Sequence, residues 1–107
     1  MPVQAQLGVV ILILPLTPTP PTGLQAKAPS GTRAVLTWFD NSHNETGFEV
    51  WRKEGSGDWA QIALTPPNTT TFADNGLQPH TPYTYRVRAV NNIYPSVWSN
   101  EARVTTP

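Results

Sequence analysis

The stretch YTYRVRAV, residues 83–90, has the clearest strand pattern in the chain. Its residues form two alternating sets: Tyr83, Tyr85, Val87 and Ala89 in one, and Thr84, Arg86, Arg88 and Val90 in the other. A period of two places these sets on opposite faces of a sheet. Because both arginines belong to the second set, the stretch predicts a long strand that buries the first.

Further out from this strand, apolar residues alternate over short runs that are separated by turn-forming residues. Strands are predicted at residues 22–27, 33–39, 48–53, 59–64, 69–73, 83–90 and 99–106. No window holds a helical period of useful length. Seven short strands predict an all-β fold, a seven-stranded immunoglobulin-like β-sandwich.

The composition indicates one domain and excludes several classes of protein. A chain of 107 residues has room for a single core. Seven Lys and Arg residues balance seven Asp and Glu residues, so no net charge attracts nucleic acid or an anionic membrane. The absence of cysteine excludes a disulfide scaffold and a thiol nucleophile. Stability must therefore come from packing.

Three segments resemble the fibronectin type III domain over residues 20–107: LTWFDNSHNETGFEVWRK (36–53), LQPHTPYTYRVRAVN (77–91) and WSNEARVTTP (98–107). Trp38 stands where the family has its second-strand core tryptophan. The spacing Leu77-x-Pro79-x-Thr81-x-Tyr83 is similar to the family's tyrosine corner, in which a buried ring keeps its hydroxyl bonded to the backbone. The structural core that follows is Trp38, Leu77, Tyr83, Tyr85 and Val87.

Catalysis finds little support in the residues. His43 and His80 lie in predicted turns, and neither shares a motif with a nucleophile or with ligand-spaced carboxylates. We therefore interpret both as exposed turn residues and expect no enzyme, no catalytic residue and no cofactor.

Two polar turns carry candidate sites of other kinds. The turn at residues 40–45 is rich in oxygen atoms, but its spacing is not that of a calcium loop, so its side chains are expected to cap backbone groups rather than bind metal. Asn44 and Asn68 begin N-glycosylation sequons in predicted turns. They are acceptors if the chain is exported by a glycosylating host, and ordinary turn residues otherwise.

Two tryptophans and two arginines are predicted to share the outer face of one sheet. Trp51, Arg86, Arg88 and Trp98 form this set, in which arginine over tryptophan contributes about 0.5–1 kcal/mol per exposed pair. The segment PSVWS, residues 95–99, resembles the second half of the cytokine-receptor WSxWS motif, with Pro95 replacing the first tryptophan. A structural ladder is favoured over a binding site. The following alternative stays open: a binding loop with Ile93 and Tyr94 at its tip.

Residues 1–19 lie outside the resemblance and form a separate segment, an apolar run followed by a proline-rich linker. The run comprises Val9, Val10, Ile11, Leu12, Ile13, Leu14 and Leu16. It is shorter than the roughly 20 residues of a membrane span. It also lacks the basic n-region and the cleavage site of a secretory signal.

The free energies favour an ordered run only if both of its faces are covered. Ordering about nine residues costs roughly 9–18 kcal/mol, and burying all seven apolar side chains contributes roughly 10–20 kcal/mol, whereas burying half of them would not suffice. The run therefore predicts an extra N-terminal β-strand. The tract at residues 17–21 is a stiff spacer, so we expect this strand to be donated to the next copy of the chain, and such head-to-tail contacts build filaments.

The sequence thus predicts a non-enzymatic extracellular or cell-surface structural protein whose main partner is itself, with no membrane span. Two alternatives stay open. In one, the domain is a spacer or a protein- or carbohydrate-interaction module of a larger secreted enzyme or adhesin, and its partners are other surface proteins or glycans. In the other, the apolar run is an atypical secretion or anchoring signal.

Overall fold

A computed structural model describes residues 16–107 as a sandwich of two antiparallel sheets. The strands are β1 (Thr22–Ser30), β2 (Arg33–Phe39), β3 (Gly47–Glu54), β4 (Ala60–Thr65), β5 (Thr71–Asn75), β6 (Pro82–Val90) and β7 (Ala102–Thr105). One sheet has the order β1-β2-β5 and the other β4-β3-β6-β7. The predicted all-β sandwich is confirmed, and no helix in residues 16–107 is long and apolar enough to cross a membrane.

The core lies between the two sheets and is built by alternate residues of each strand. In β6 every second side chain is buried, from Tyr83 to Ala89, while the residues between them are partly exposed. The first sheet contributes Ala34, Leu36 and Trp38 from β2. All five residues predicted for the core are buried: Trp38, Leu77, Tyr83, Tyr85 and Val87.

The tyrosine corner closes the β5–β6 connection. Tyr83 is buried, and its hydroxyl accepts a hydrogen bond of 2.9 Å from the backbone N–H of Gln78. The hydroxyl is thereby satisfied while the ring packs in the core.

The tract that precedes β1 lies against the domain. Pro18 and Pro21 are buried. The side-chain amide of Asn41 donates to the carbonyl of Pro20 at 3.1 Å, and that of Asn91 donates to the carbonyl of Leu16 at 2.8 Å. The spacer interpretation expected this tract to hold the preceding residues away from the sandwich. From Leu16 onward the tract instead lies along the domain. The predicted extra N-terminal strand lies outside the described residues except for its last member, Leu16, which belongs to no strand.

Candidate functional site

The outer face of the four-stranded sheet carries a continuous series of alternating cations and indole rings. The guanidinium carbon of Arg86 lies 3.9 Å from the ring centroid of Trp98 and 4.2 Å from that of Trp59. That of Arg88 lies 4.4 Å from Trp98 and 5.9 Å from Trp51. We call this series the tryptophan ladder; its members in order are Lys53, Trp59, Arg86, Trp98, Arg88 and Trp51.

Strand pairing places the ladder residues side by side. Trp51 on β3 is the register partner of Arg86 on β6. The pairing of β3 with β4 shifts between Val50 and Trp51, and Trp59 stands just before β4. Its ring reaches the ammonium of Lys53 at 5.1 Å as well as Arg86. Cations over indole faces at these distances attract the ring quadrupole.

Trp98 is held by a segment that follows β6 without being a regular strand. The hydroxyls of Ser96 and Ser99 accept hydrogen bonds from the backbone N–H groups of Ala89 and Val87, at 2.9 and 3.0 Å. The backbone N–H groups of the same serines donate to the carbonyls of Ala89 and Val87. Serine side chains thus replace part of the backbone ladder, and β7 begins only at Ala102, three residues later than predicted.

Glu49 fixes one end of the ladder. Its Oε1 accepts a hydrogen bond from Trp51 Nε1 at 2.8 Å and another from Arg88 Nε at 2.8 Å. The Arg88–Glu49 ion pair is largely screened from water, with side-chain exposures of 25% and 18%. A charge-assisted bond of this kind orients the guanidinium against the ring.

Arg86 lies between two indole rings of the ladder, those of Trp59 and Trp98. Burial lowers the pKa of Arg86; the charge of Glu101 opposes this decrease and that of Arg88 adds to it. Its Nε atom is buried and has no hydrogen-bond partner among the described residues. The guanidinium is thus held mainly by two ring faces, which indicates a packing role for the centre of the ladder.

The structure brings together all four residues predicted for this face, Trp51, Arg86, Arg88 and Trp98. Two further residues, Trp59 and Lys53, were not predicted and extend the ladder towards the β4 edge of the sheet. Lys53 could have been predicted, because it lies two residues from Trp51 on β3 and so shares its outward face. The register shift in the β3–β4 pairing concealed the position of Trp59.

A second polar cluster, also missed, joins the two sheets. Asp74 on β5 is 5% exposed. Its carboxylate accepts two hydrogen bonds from Arg52 Nη1, at 3.0 and 2.9 Å, and one from the Tyr85 hydroxyl at 2.8 Å. The guanidinium of Arg52 also lies 5.5 Å from the ring centroid of Tyr83.

The carboxylate of Asp74 raises the pKa of both of its hydrogen-bond donors, Tyr85 and Arg52. Burial raises the pKa of Tyr85, and the hydrogen bond to the Asp74 carboxylate and its charge raise it further. Burial lowers the pKa of Arg52, but the hydrogen bond and the charge of Asp74 outweigh it, so the pKa is raised overall. Buried polar groups that satisfy one another in this way specify how the two sheets align.

The side chains of the turn at residues 40–45 form hydrogen bonds within the turn and to the neighbouring loop. Asp40 Oδ1 accepts from the N–H of Ser42 at 3.0 Å, and the Ser42 hydroxyl donates to Glu45 at 2.7 Å. Burial raises the pKa of Glu45, but hydrogen bonds from Ser42 and the Asn68 N–H outweigh it and lower the pKa overall. Within residues 16–107, no group of three or more His, Cys, Asp and Glu residues could hold a metal ion.

The remaining predicted residues lie on the surface. Ile93 and Tyr94 are 61% and 47% exposed at the tip of the β6–β7 loop. Both sequon asparagines, Asn44 and Asn68, are exposed. His43 and His80 are exposed in two different loops. Leu16, the last member of the apolar run, is 52% exposed.

These features define a class: a seven-stranded immunoglobulin-like sandwich closed by a tyrosine corner and carrying a tryptophan ladder on its larger sheet. The family model of the fibronectin type III domain matches residues 19–105. The chain belongs to the fibronectin type III family.

The similar proteins are much longer than this chain. It is 32% identical to a gellan lyase from Bacillus sp over 84% of its length, and 36% identical to exoglucanase B from Cellulomonas fimi over 67%. It is 32% identical to the human netrin receptor DCC over 81%. The matched region is 4%, 6% and 6% of these three proteins, so the chain corresponds to a small module of each.

A solved structure has nearly the same extent as the chain. A fibronectin type III-like protein from Clostridium thermocellum is 34% identical, with a TM-score of 0.70 over 84% of this chain and 94% of that one. That solved chain therefore contains little besides the matched sandwich.

Proposed function

We propose that this chain acts as a non-catalytic spacer or interaction module of a larger secreted or cell-surface protein. The observation that carries the proposal is that relatives such as a gellan lyase, an exoglucanase and a netrin receptor contain the same module as 4–6% of their length. Enzymes and a receptor share the module, so its role does not depend on one chemistry.

The geometry supports a rigid module. The two sheets are joined by the cluster of Arg52, Asp74 and Tyr85, and the outer face of the larger sheet is tied together by the tryptophan ladder. A rigid unit keeps its two neighbours at a fixed separation, which is what a spacer requires. In this reading the ladder is structural.

The size and location of the natural product test the proposal. An antibody against the folded domain should detect, in the culture medium or on the cell surface, a polypeptide much larger than 107 residues. A product of this chain's own size, or one found only inside the cell, would contradict it.

The exposed β6–β7 loop is the surface that an interaction role would use. Ile93 and Tyr94 are large, exposed and adjacent, and the side chain of Asn91 shapes the loop by accepting from both of their backbone N–H groups, at 2.8 and 2.7 Å. Affinity electrophoresis in gels containing gellan or a glucan tests a carbohydrate partner. Retardation that is lost in Ile93→Ser/Tyr94→Ser but kept in Leu64→Ser, a change at an exposed residue of the edge strand β4, would support an interaction role over a pure spacer.

Self-assembly into a filament through residues 9–16 stays a prediction of the sequence. Except for Leu16, its donated strand lies outside the described residues, and the relatives favour the module. The two functions differ in solution, because a filament subunit associates without limit whereas a module remains a single unit.

A further inference from the structure

An apolar groove of about 690 Å³ lies at the end of the domain where the chain enters it. We call it the linker groove. Its walls come from the entering tract, the β2–β3 loop and the β6–β7 loop, and they include Leu16, Thr17, Thr19, Thr46, Asn91 and Ile93. The two large apolar side chains, Leu16 and Ile93, are 52% and 61% exposed. Removing apolar surface of this kind from water lowers the free energy.

Two of the polar side chains that line the groove, Asn91 and Thr46, have partners within the domain. Asn91 donates through Nδ2 to Leu16 and accepts through Oδ1 from the N–H groups of Ile93 and Tyr94. The hydroxyl of Thr46 donates to the carbonyl of Val90 at 3.3 Å. Because these two groups are engaged and the exposed lining is mainly apolar, the groove suits an apolar occupant better than a polar one.

The chain itself supplies such an occupant next to the groove. The hydrogen bond from Asn91 holds Leu16 on the groove wall, and only Pro15 separates Leu16 from the six consecutive apolar residues 9–14. Extended, six residues reach about 20 Å, which is ample to cover the groove.

We propose that the linker groove is the binding site of the chain's own apolar run, residues 9–14, which packs on Leu16 and Ile93 of the same molecule. A segment tethered this closely has an effective concentration in the millimolar range, well above that of a second copy at ordinary protein concentrations. Intramolecular docking also removes apolar surface that would otherwise promote association. The proposal does not depend on the module function.

A single engineered thiol tests the proposal, because the chain has no cysteine of its own. Asn92→Cys places the thiol on the groove lining, and its rate of alkylation by a maleimide reports access to the groove. The rate is measured in the full chain, in the same chain carrying Ile11→Asp/Leu12→Asp/Ile13→Asp, and in a matched control carrying Val3→Asp/Ala5→Asp/Leu7→Asp. Near-ultraviolet circular dichroism checks that all three remain folded.

We expect alkylation at least fivefold faster when the apolar run carries the three aspartates, and unchanged in the control. The difference should be the same at low and at high protein concentration. Equal rates in all three chains would overturn the proposal. Protection that appears only at high concentration would also overturn it, since the occupant would then be a second copy.

Discussion

Arg86 stacks on Trp98 with its guanidinium carbon 3.9 Å from the ring centroid, and this pair is the centre of the tryptophan ladder. Trp59 covers the same guanidinium at 4.2 Å. The ladder crosses the outer face of the larger sheet from β3 through β6 to the segment before β7. It therefore ties the irregular segment that carries Trp98 to β6, the longest strand of the larger sheet.

Replacing Arg86 with glutamine should lower the free energy of unfolding by about 1–2 kcal/mol, because a partly buried cation is lost from between two indole rings. Urea unfolding followed by far-ultraviolet circular dichroism measures the change. The matched control is Arg103→Gln, an exposed position on β7, where we expect a change within about 0.5 kcal/mol. Equal effects of the two substitutions would show that the ladder adds no stability.

Tyr83→Phe should lower the free energy of unfolding by about 1–2 kcal/mol. The ring stays in the core, but the backbone N–H of Gln78 loses its acceptor. Thermal unfolding gives the comparison with Tyr94→Phe, a change at an exposed loop tyrosine that should have almost no effect. A Tyr83→Phe domain as stable as the parent would mean that water replaces the hydroxyl without cost.

The ion pair between Arg52 and Asp74 should behave as a coupled unit. Arg52→Met leaves the carboxylate of Asp74 buried without its cation. It should therefore lower the free energy of unfolding by about 2–3 kcal/mol. This is below the cost usual for a fully buried pair, because the Arg52 side chain is 30% exposed. In a double-mutant cycle, Asp74→Asn should lower the free energy of unfolding much less in the Arg52→Met background than in the parent chain. Strictly additive losses would contradict the coupling.

Tyr85 should make the domain less stable in alkaline solution. Its pKa is raised in the folded state by burial and by Asp74, so the folded protein keeps the phenol proton that the unfolded chain releases above its ordinary pKa of about 10. Stability is therefore unaffected below about pH 10 and falls as the pH rises beyond it. Urea unfolding between pH 8 and 11.5 should show this fall, and Tyr85→Phe should flatten it whereas Tyr94→Phe should not.

The sequence was most informative where period and packing agree. The bounds of β2 were predicted correctly, because Ala34, Leu36 and Trp38 alternate cleanly with outward residues and a turn follows at each end. The alternation in β6 also placed both arginines of the ladder on the outer face.

Other features depend on contacts that no local pattern encodes. The β7 strand was predicted to begin at Ser99, but the hydroxyls of Ser96 and Ser99 bond to β6 and take the place of regular pairing. Trp59 joins the ladder only through a register shift. Asp74 resembles an ordinary exposed residue until its long-range partners Arg52 and Tyr85 are known.

The docking of the entering tract was also beyond the sequence pattern. Alternating threonines and prolines indicate a stiff extended segment, which is equally compatible with standing away from the domain and with lying along it. The tract lies along the domain because the side-chain amides of Asn41 and Asn91 donate hydrogen bonds to it. These donors are 21 and 75 residues away from their acceptors in the sequence.

We propose that this fibronectin type III chain works as a discrete module and not as the subunit of a fibre. Sedimentation velocity of the full 107-residue chain over a wide range of concentrations tests this claim most directly. We expect one monomeric species whose sedimentation coefficient does not rise with concentration. An open series of oligomers that grows with concentration, and that disappears when residues 11–13 are replaced by aspartate, would contradict it.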